Sequence, residues 1–101
     1  MILHVVAFRF VPGTAEAVIE AAGDALLAME GTIPEIREIR WAPNLAPDTG
    51  DYTHVLTVLL DDMEALERYA VHPDHKRVVA EFLVPIREAR LALDIEVPAH
   101  H

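Results

Sequence analysis

Residues 2–11 read ILHVVAFRFV, a run rich in valine and phenylalanine that is followed by Pro12 and Gly13. The run is short for a helix and its residue types favour extended backbone, so it predicts a β-strand. Both parities of this strand are mostly apolar: His4, Val6, Phe8 and Phe10 alternate with Leu3, Val5, Ala7 and Val11. A strand of this kind needs apolar cover on both faces of its sheet.

Helical patterns lie between the predicted strands. Thr14 is placed to cap a first helix, whose apolar residues recur at helical spacing until Gly31. Asp61 or Asp62 can cap a second helix. Pro73 ends that helix, and because proline is favoured at the first helical position, it also predicts the start of a third.

Three further strands complete the pattern. They are IREIRWAPNL (36–45), YTHVLTVLL (52–60) and LALDIEV (91–97), and the first and last of them alternate in polarity. The order strand, helix, strand, strand, helix pair, strand predicts a ferredoxin-like α+β fold (βαββαβ), a four-stranded antiparallel sheet with its helices on one face. We expect a single domain over residues 1–101, with 99–101 forming a flexible tail.

The predicted helices can cover only one face of this sheet. The strand at 52–60 is also apolar on both parities, so the second face would leave apolar area in water at a cost of about 25 cal/mol per Å². A second copy, packed sheet against sheet, would cover it. We therefore expect a homodimer, a dimeric α/β-barrel with an interior between the facing sheets. The alternatives are a monomer with an exposed apolar patch or a different partner.

The composition argues against several classes of partner and chemistry. The chain has 8 basic and 17 acidic residues, a formal net charge of −9, and no basic patch, so we expect neither a nucleic acid nor a membrane surface as partner. No apolar run approaches the roughly 20 residues of a membrane span, and the first residues lack a basic leader. These features predict a soluble, cytoplasmic protein. The chain contains neither cysteine nor serine, which excludes thiolate and serine nucleophiles.

The stretch LERYAVHPDHKRVVAEF (66–82) carries the candidate chemistry. His75 would occupy the third position of the helix begun by Pro73, where unpaired backbone N–H groups disfavour an imidazolium. A neutral histidine can act as a general base. Tyr69 offers a hydroxyl that can donate a hydrogen bond to a carbonyl or enolate oxygen. Together they predict proton abstraction beside a carbonyl, without a cofactor.

Histidines also mark one face of the predicted sheet. His4 and His54 fall on the same parity of two strands that neighbour each other in this topology, so we expect them to lie close together. The predicted lining of the pocket is His4, Val6, Phe8, His54 and Leu56. Both histidines could equally be satisfied core residues.

Structural readings of the other residues remain open. His72 is best explained as a helix-ending residue, Asp74 as a partner of the helix dipole, and Tyr69 could be an amphipathic core residue. His75 could have a capping role. The histidine spacing matches no established metal motif, so we predict no metal site.

Five segments together resemble the stress-responsive α/β-barrel domain family, Dabb. They are HVVAFRFVPG (4–13), IPEIREIRWAPNL (33–45), DYTHVLTVLL (51–60), LERYAVHPDH (66–75) and ALDIEV (92–97). The tyrosine followed by H-P-x-H is the most distinctive of these features. The resemblance implies a ferredoxin-like fold and a homodimer formed through the sheets.

The family includes plant stress proteins and a plant polyketide cyclase, which closes a linear poly-β-keto thioester into an aromatic acid. By this resemblance His75 is the base, Tyr69 assists it, and His4 and His54 line the pocket. The cyclase has bulky aromatic residues where this chain has AAGDA (21–25), so the substrate should differ. The small residues imply either a closer approach of helix to sheet or a roomier cavity.

The expected function is therefore cofactor-independent acid/base chemistry on a small apolar carbonyl compound, of the cyclase, lyase or isomerase type. Two alternatives remain: a stress-responsive protein that binds a small ligand without turning it over, and a cofactor-free oxygenase.

Overall fold

The structure is a computed structural model and describes residues 1–98. Its strands are β1 (Ile2–Phe10), β2 (Glu38–Pro43), β3 (His54–Leu60) and β4 (Arg87–Glu96), and its α-helices are α1 (Glu16–Ala28), α2 (Met63–Val71) and α3 (Pro73–Val78). A 3-10 turn, Met29–Gly31, extends α1, and a π-helical turn, Val79–Leu83, follows α3. The predicted tail at 99–101 lies outside the described residues.

The four strands form one antiparallel sheet in the order β2-β3-β1-β4. This is the ferredoxin-like arrangement, so the predicted fold is confirmed. Val6 pairs with Leu56 across the two central strands, and both side chains are buried on the face that the helices cover. Leu26 of α1 and Tyr69 of α2 complete the core on that side. The helix-facing side of the central strands therefore forms the interior of the chain.

The caps of the helices match the sequence prediction in part. Asp62 caps α2, because its carboxylate accepts a hydrogen bond from the Ala65 backbone N–H at 2.8 Å. The prediction that Thr14 caps α1 is wrong. Ala15 holds the cap position, and the Thr14 hydroxyl instead donates to the Val11 carbonyl at 2.6 Å, where it closes the turn that Pro12 and Gly13 begin.

The small residues of α1 let the helix approach the sheet closely. A Cβ atom placed on Gly23 would lie 2.4 Å from Nε1 of Trp41, a distance that no side chain tolerates. The indole ring occupies this space and contacts the rings of Phe8 and Phe10, at centroid separations of 5.6 and 6.4 Å. Of the two expectations for the small residues, the close approach is therefore the one observed here.

The opposite face of the sheet is apolar and has no cover within the described part of the chain. Leu91, Leu93 and Ile95 of β4 are 52%, 54% and 50% exposed. They lie beside Ala7, Val5 and Leu3 of β1, their partners in the ladder. The uncovered apolar face expected from the sequence is thus present. Within residues 1–98, none of the helices has the length and apolar character needed to cross a bilayer.

Candidate active site

A cavity of about 220 Å³ lies between the sheet and the helices. Its wall includes His4, Val6, Phe8 and Leu56 from the sheet and Tyr69 and His75 from the helices. The cavity is inside the chain, on the helix side of the sheet. The sequence prediction assigned this pocket to the interior between the facing sheets of two copies. That position of the pocket is wrong, because the face carrying His4 is the one that the helices cover.

Within residues 1–98, His75 has a hydrogen-bond partner for one ring nitrogen only. Its Nδ1 lies 3.0 Å from the backbone carbonyl oxygen of Ala70. A carbonyl oxygen only accepts hydrogen bonds, so Nδ1 carries the proton, and in the neutral ring Nε2 is left with its lone pair. This is the arrangement that a general base requires.

The environment of His75 keeps its imidazole neutral. Burial lowers the pKa of His75 below its ordinary value of 6.5, the hydrogen bond to Ala70 partly opposes this, and the nearby charges of His4 and Arg90 lower it further. The sequence predicted a neutral ring from the potential at the helix start. The direction agrees, but the main physical cause is removal of the ring from water.

Tyr69 lines the cavity, and its hydroxyl is buried. The side chain is 1% exposed, and its ring lies 4.5 Å from the His75 ring, centroid to centroid. Among the described residues the buried hydroxyl has no hydrogen-bond partner, an arrangement that typically costs about 1–3 kcal/mol. Burial raises the pKa of Tyr69 far above its ordinary range, so the group stays protonated and can only serve as a neutral donor or acceptor.

His4 is held in place by a carboxylate. Its Nδ1 lies 2.5 Å from Oδ1 of Asp94 on the neighbouring strand β4, and since a carboxylate accepts, Nδ1 donates. Its ring contacts the Tyr69 ring edge-on, with centroids 6.1 Å apart. His4, Tyr69 and His75 thus form one cluster along the cavity wall.

His54 does not belong to this cluster. It shares the helix-facing side of the sheet with His4, but in the ladder it pairs with Phe8 while His4 pairs with Val58. Four residues along the strands separate the two positions, about 13 Å at the usual rise per residue. The expectation that His4 and His54 lie close together is therefore wrong.

The surroundings of His54 are aromatic. Its ring stacks on Trp41 with a centroid distance of 5.3 Å and an interplanar angle of 22°, and it contacts Phe10 edge-on at 5.6 Å. Its Nδ1 lies 2.9 Å from the Thr53 hydroxyl. His54 borders a separate cleft of about 530 Å³, and it is absent from the wall of the cavity that holds His75.

His72 has the structural role expected of it. It ends α2 and is the N-cap of α3, where its Nδ1 accepts a hydrogen bond from the Asp74 backbone N–H at 3.1 Å. Pro73 occupies the first turn of α3, as predicted. Within residues 1–98, the structure brings together no group of three or more His, Asp or Glu side chains that could hold a metal ion.

Comparison with known proteins agrees with this architecture. The sequence model of the stress-responsive A/B barrel domain, Dabb, matches residues 2–97. The chain belongs to the Dabb family. It is 33% identical over 82 residues to an uncharacterised protein of Streptomyces coelicolor, and this match covers 79% of the chain and 84% of that protein.

A shorter match links the Dabb chain to a plant protein. It is 46% identical over 43 residues to a stress-response A/B barrel domain-containing protein of Arabidopsis thaliana. The match covers 43% of this chain and only 16% of the length of the plant protein.

Solved structures share the fold of the Dabb chain. A dimeric ferredoxin-like protein of unknown function from Thermobifida fusca has a TM-score of 0.81 at 25% identity, with 95% of this chain and 90% of that chain covered. The hydroxynitrile lyase of Passiflora edulis has a TM-score of 0.85 at 17% identity, with 99% and 95% covered. At 17% identity the likeness shows the fold alone.

Sequence reasoning missed two arginines of the Dabb site. Arg87 and Arg90 of β4 line the cavity together with His75. The prediction began the last strand at residue 91, whereas β4 begins at Arg87, so neither arginine was assigned to a face. The signal that could have found Arg90 is its parity: in the run 90–94 it alternates with Leu91 and Leu93 and shares a face with Asp94.

Proposed function

We propose that this Dabb chain catalyses the removal of a proton from a carbon beside a carbonyl group of a small polyketide-like molecule, without a cofactor. Nε2 of His75 takes the proton, and the electrons of the broken C–H bond move onto the carbonyl oxygen as an enolate. The Tyr69 hydroxyl donates a hydrogen bond to that oxygen. The enolate then attacks a second carbonyl, expels a leaving group or is reprotonated, which gives cyclase, lyase or isomerase chemistry.

One observation carries this proposal. Within residues 1–98, the Tyr69 hydroxyl is buried, unpaired and beside a histidine whose Nδ1 is already engaged by Ala70. A bound carbonyl oxygen would accept from the hydroxyl and remove its desolvation cost. The same ligand would lie next to Nε2, the unprotonated ring nitrogen of the neutral base. Val6, Phe8 and Leu56 supply the apolar wall, and His4, fixed by Asp94, orients the ligand.

The proposed enzyme is a homodimer built through the outer face of the sheet. The half-exposed Leu91, Leu93 and Ile95 support this assembly, since a second copy would remove them from water. The related Thermobifida fusca protein is described as dimeric. A single domain and a cytoplasmic location stay predictions of the sequence, as does the lack of nucleic-acid and membrane partners.

Hydrogen–deuterium exchange at carbon tests the chemistry directly. Wild-type protein is incubated in heavy water with three ketones, 2-hexanone, 2,4-hexanedione and 4-oxohexanoate, and loss of the C–H signals beside the carbonyl is followed by NMR. We expect at least one ketone to exchange faster than in buffer, and the acceleration to disappear in His75→Asn. Binding that stabilises the protein without any exchange that depends on His75 would instead identify a ligand-binding protein.

A further inference from the structure

Two arginines at the candidate site form no ion pair within residues 1–98. Five of the eight basic residues do form ion pairs there: Arg9 with Glu88, Arg37 with Asp61, Arg40 with Glu38, Arg68 with Glu35 and Arg77 with Glu81. The remaining three are Lys76, Arg87 and Arg90, and of these Arg87 and Arg90 line the cavity of His75. In a chain with net charge −9, two arginines that form no ion pair within residues 1–98 and lie beside a half-buried histidine require an explanation.

A β-bulge brings the second arginine to the cavity. Phe8 pairs with Arg90 in the ladder, but the register then shifts, so Phe10 pairs with Arg87. Directly opposed residues of antiparallel strands share a face, and Phe8 and Phe10 are buried on the helix side. Without the shift, Glu88 would stand opposite Phe10. The bulge therefore replaces an acidic side chain by a basic one on the face of the cavity.

Nearby acids do not neutralise these arginines. Glu88 pairs with Arg9 at 3.5 Å, and Asp94 is engaged by His4. Arg87 is half-buried and Arg90 is exposed, so they stand at the mouth of the cavity. The charge of Arg90 acts on the interior, since it contributes to lowering the pKa of His75.

We propose that the ligand of this site is a small oxo acid, whose carboxylate is bound by Arg87 and Arg90 while its carbonyl oxygen accepts a hydrogen bond from Tyr69. The guanidinium fork matches the geometry of a carboxylate, and Tyr69, whose buried hydroxyl is unpaired within residues 1–98, lines the same cavity. This assignment rests on the proposed function and narrows its substrate class. It also predicts weaker binding of neutral ketones, which would leave both cations without a partner.

Titration of probe molecules tests the assignment through binding, independently of turnover. The probes are 4-oxohexanoate, its uncharged methyl ester, and pentyl phosphate, which offers a different oxyanion. Each is titrated by NMR or calorimetry into the wild-type protein and into Arg87→Gln, Arg90→Gln and the control Arg77→Gln. Arg77→Gln removes the same charge from α3 but lies outside the cavity wall. Circular dichroism verifies that each variant is folded.

We expect 4-oxohexanoate to bind at least about tenfold more tightly than its ester, equivalent to about 1.4 kcal/mol. This preference should shrink in Arg87→Gln and Arg90→Gln, weaken with added salt, and persist in Arg77→Gln. Equal affinity for acid and ester, or a preference that survives both cavity substitutions, would overturn the assignment. If pentyl phosphate bound more tightly than 4-oxohexanoate, the assignment of a carboxylate ligand would be overturned in favour of a phosphate ligand.

The binding results stay separate from the fate of the proposed reaction. Binding of 4-oxohexanoate that depends on the arginines, without His75-dependent exchange at carbon, would support the ligand class and refute the chemistry. Exchange of neutral ketones that is unaffected by the arginine substitutions would support the chemistry and refute the ligand class.

Discussion

The imidazole of His75 and the phenol of Tyr69 lie 4.5 Å apart, centroid to centroid, with their planes inclined by 50°. The two residues sit on consecutive helices, and the short connection through His72 and Pro73 turns both side chains toward one cavity. A potential base and a potential hydrogen-bond donor are therefore held together by local sequence, while the sheet supplies the wall opposite them.

Replacement of Tyr69 by phenylalanine should lower turnover without lowering the free energy of unfolding. The substitution removes a buried hydroxyl that has no partner among the described residues, so we expect the free energy of unfolding to stay level or to rise by about 1 kcal/mol. Turnover should fall by at least about tenfold, because the enolate oxygen loses its hydrogen-bond donor. Denaturant unfolding and exchange assays measure the two effects. A marked loss of stability would show that the hydroxyl is satisfied in the native protein.

His75→Asn should abolish the chemistry in a folded protein. An asparagine amide can still donate to the Ala70 carbonyl, but it cannot take up a proton, so we expect turnover to fall by at least about 100-fold. His72→Asn is the matched control, since asparagine is a good N-cap and His72 serves as the cap of α3. Loss of activity in the His72 variant equal to that in the His75 variant would contradict the assignment of the base.

The pH dependence should show a single acid limb. Protonation of His75 removes the base, and because the pKa of His75 lies below 6.5, kcat/KM should decline only as pH falls below that value. No alkaline limb is expected from Tyr69, whose pKa is raised by burial. Rate measurements between about pH 5 and 9 check the profile. A midpoint above 6.5 would mean that another group is titrating.

The free energy of unfolding should also decrease as pH falls. The imidazole of His75 binds a proton more readily in the unfolded chain than in the folded one, so its contribution to stability is present above pH 6.5 and is lost as pH falls toward the lowered pKa. Replacement of His75 by asparagine should reduce this acid sensitivity, as measured by thermal unfolding at several pH values.

Gly23→Ala should destabilise the chain through one contact. The added Cβ would meet Trp41 at 2.4 Å, and displacing a packed indole typically costs about 1–3 kcal/mol. Gly31→Ala is the control, since nothing among the described residues lies within 4 Å of its Cβ position, and we expect it to be neutral or slightly stabilising. Equal effects of the two substitutions would contradict the close approach of α1 to the sheet.

A charge on the outer face of β4 should disrupt the proposed dimer. Leu93 is 54% exposed at the middle of the apolar face, and Leu93→Asp would place a carboxylate in the interface, so we expect at least about a tenfold rise in the dimer dissociation constant. Leu45 is 90% exposed in a loop, and Leu45→Asp should have no effect. Sedimentation over a range of concentrations measures both. A wild-type protein that is monomeric throughout would contradict the assembly.

Local signals made much of the fold predictable. Pro73 marks both the end of α2 and the start of α3, Asp62 is a strong N-cap, and the strand order follows from the alternation of elements. Thr14 failed as a cap because its hydroxyl found a nearer acceptor, the Val11 carbonyl, in the preceding turn. Competition of this kind depends on turn geometry that residue type does not encode.

The site was predictable where it is local and was missed where it depends on register. Tyr69 and His75 come from one short segment, so their proximity could be inferred from sequence. The separation of His4 from His54 depends on the pairing of β1 with β3, and Arg87 reaches the cavity through a one-residue shift. Neither feature can be predicted from the hydrophobic pattern alone.

The two faces of strand β4 have different roles, one at the outer surface of the sheet and the other at the cavity. Leu91, Leu93 and Ile95 point to the outer face, while Arg90 and Asp94 point toward the helices and the cavity. An insertion or deletion of one residue within this strand would invert the alternation, so that leucines would face inward and arginines outward. Related chains that keep the cavity should therefore keep the spacing of these side chains, even where the side chains themselves differ.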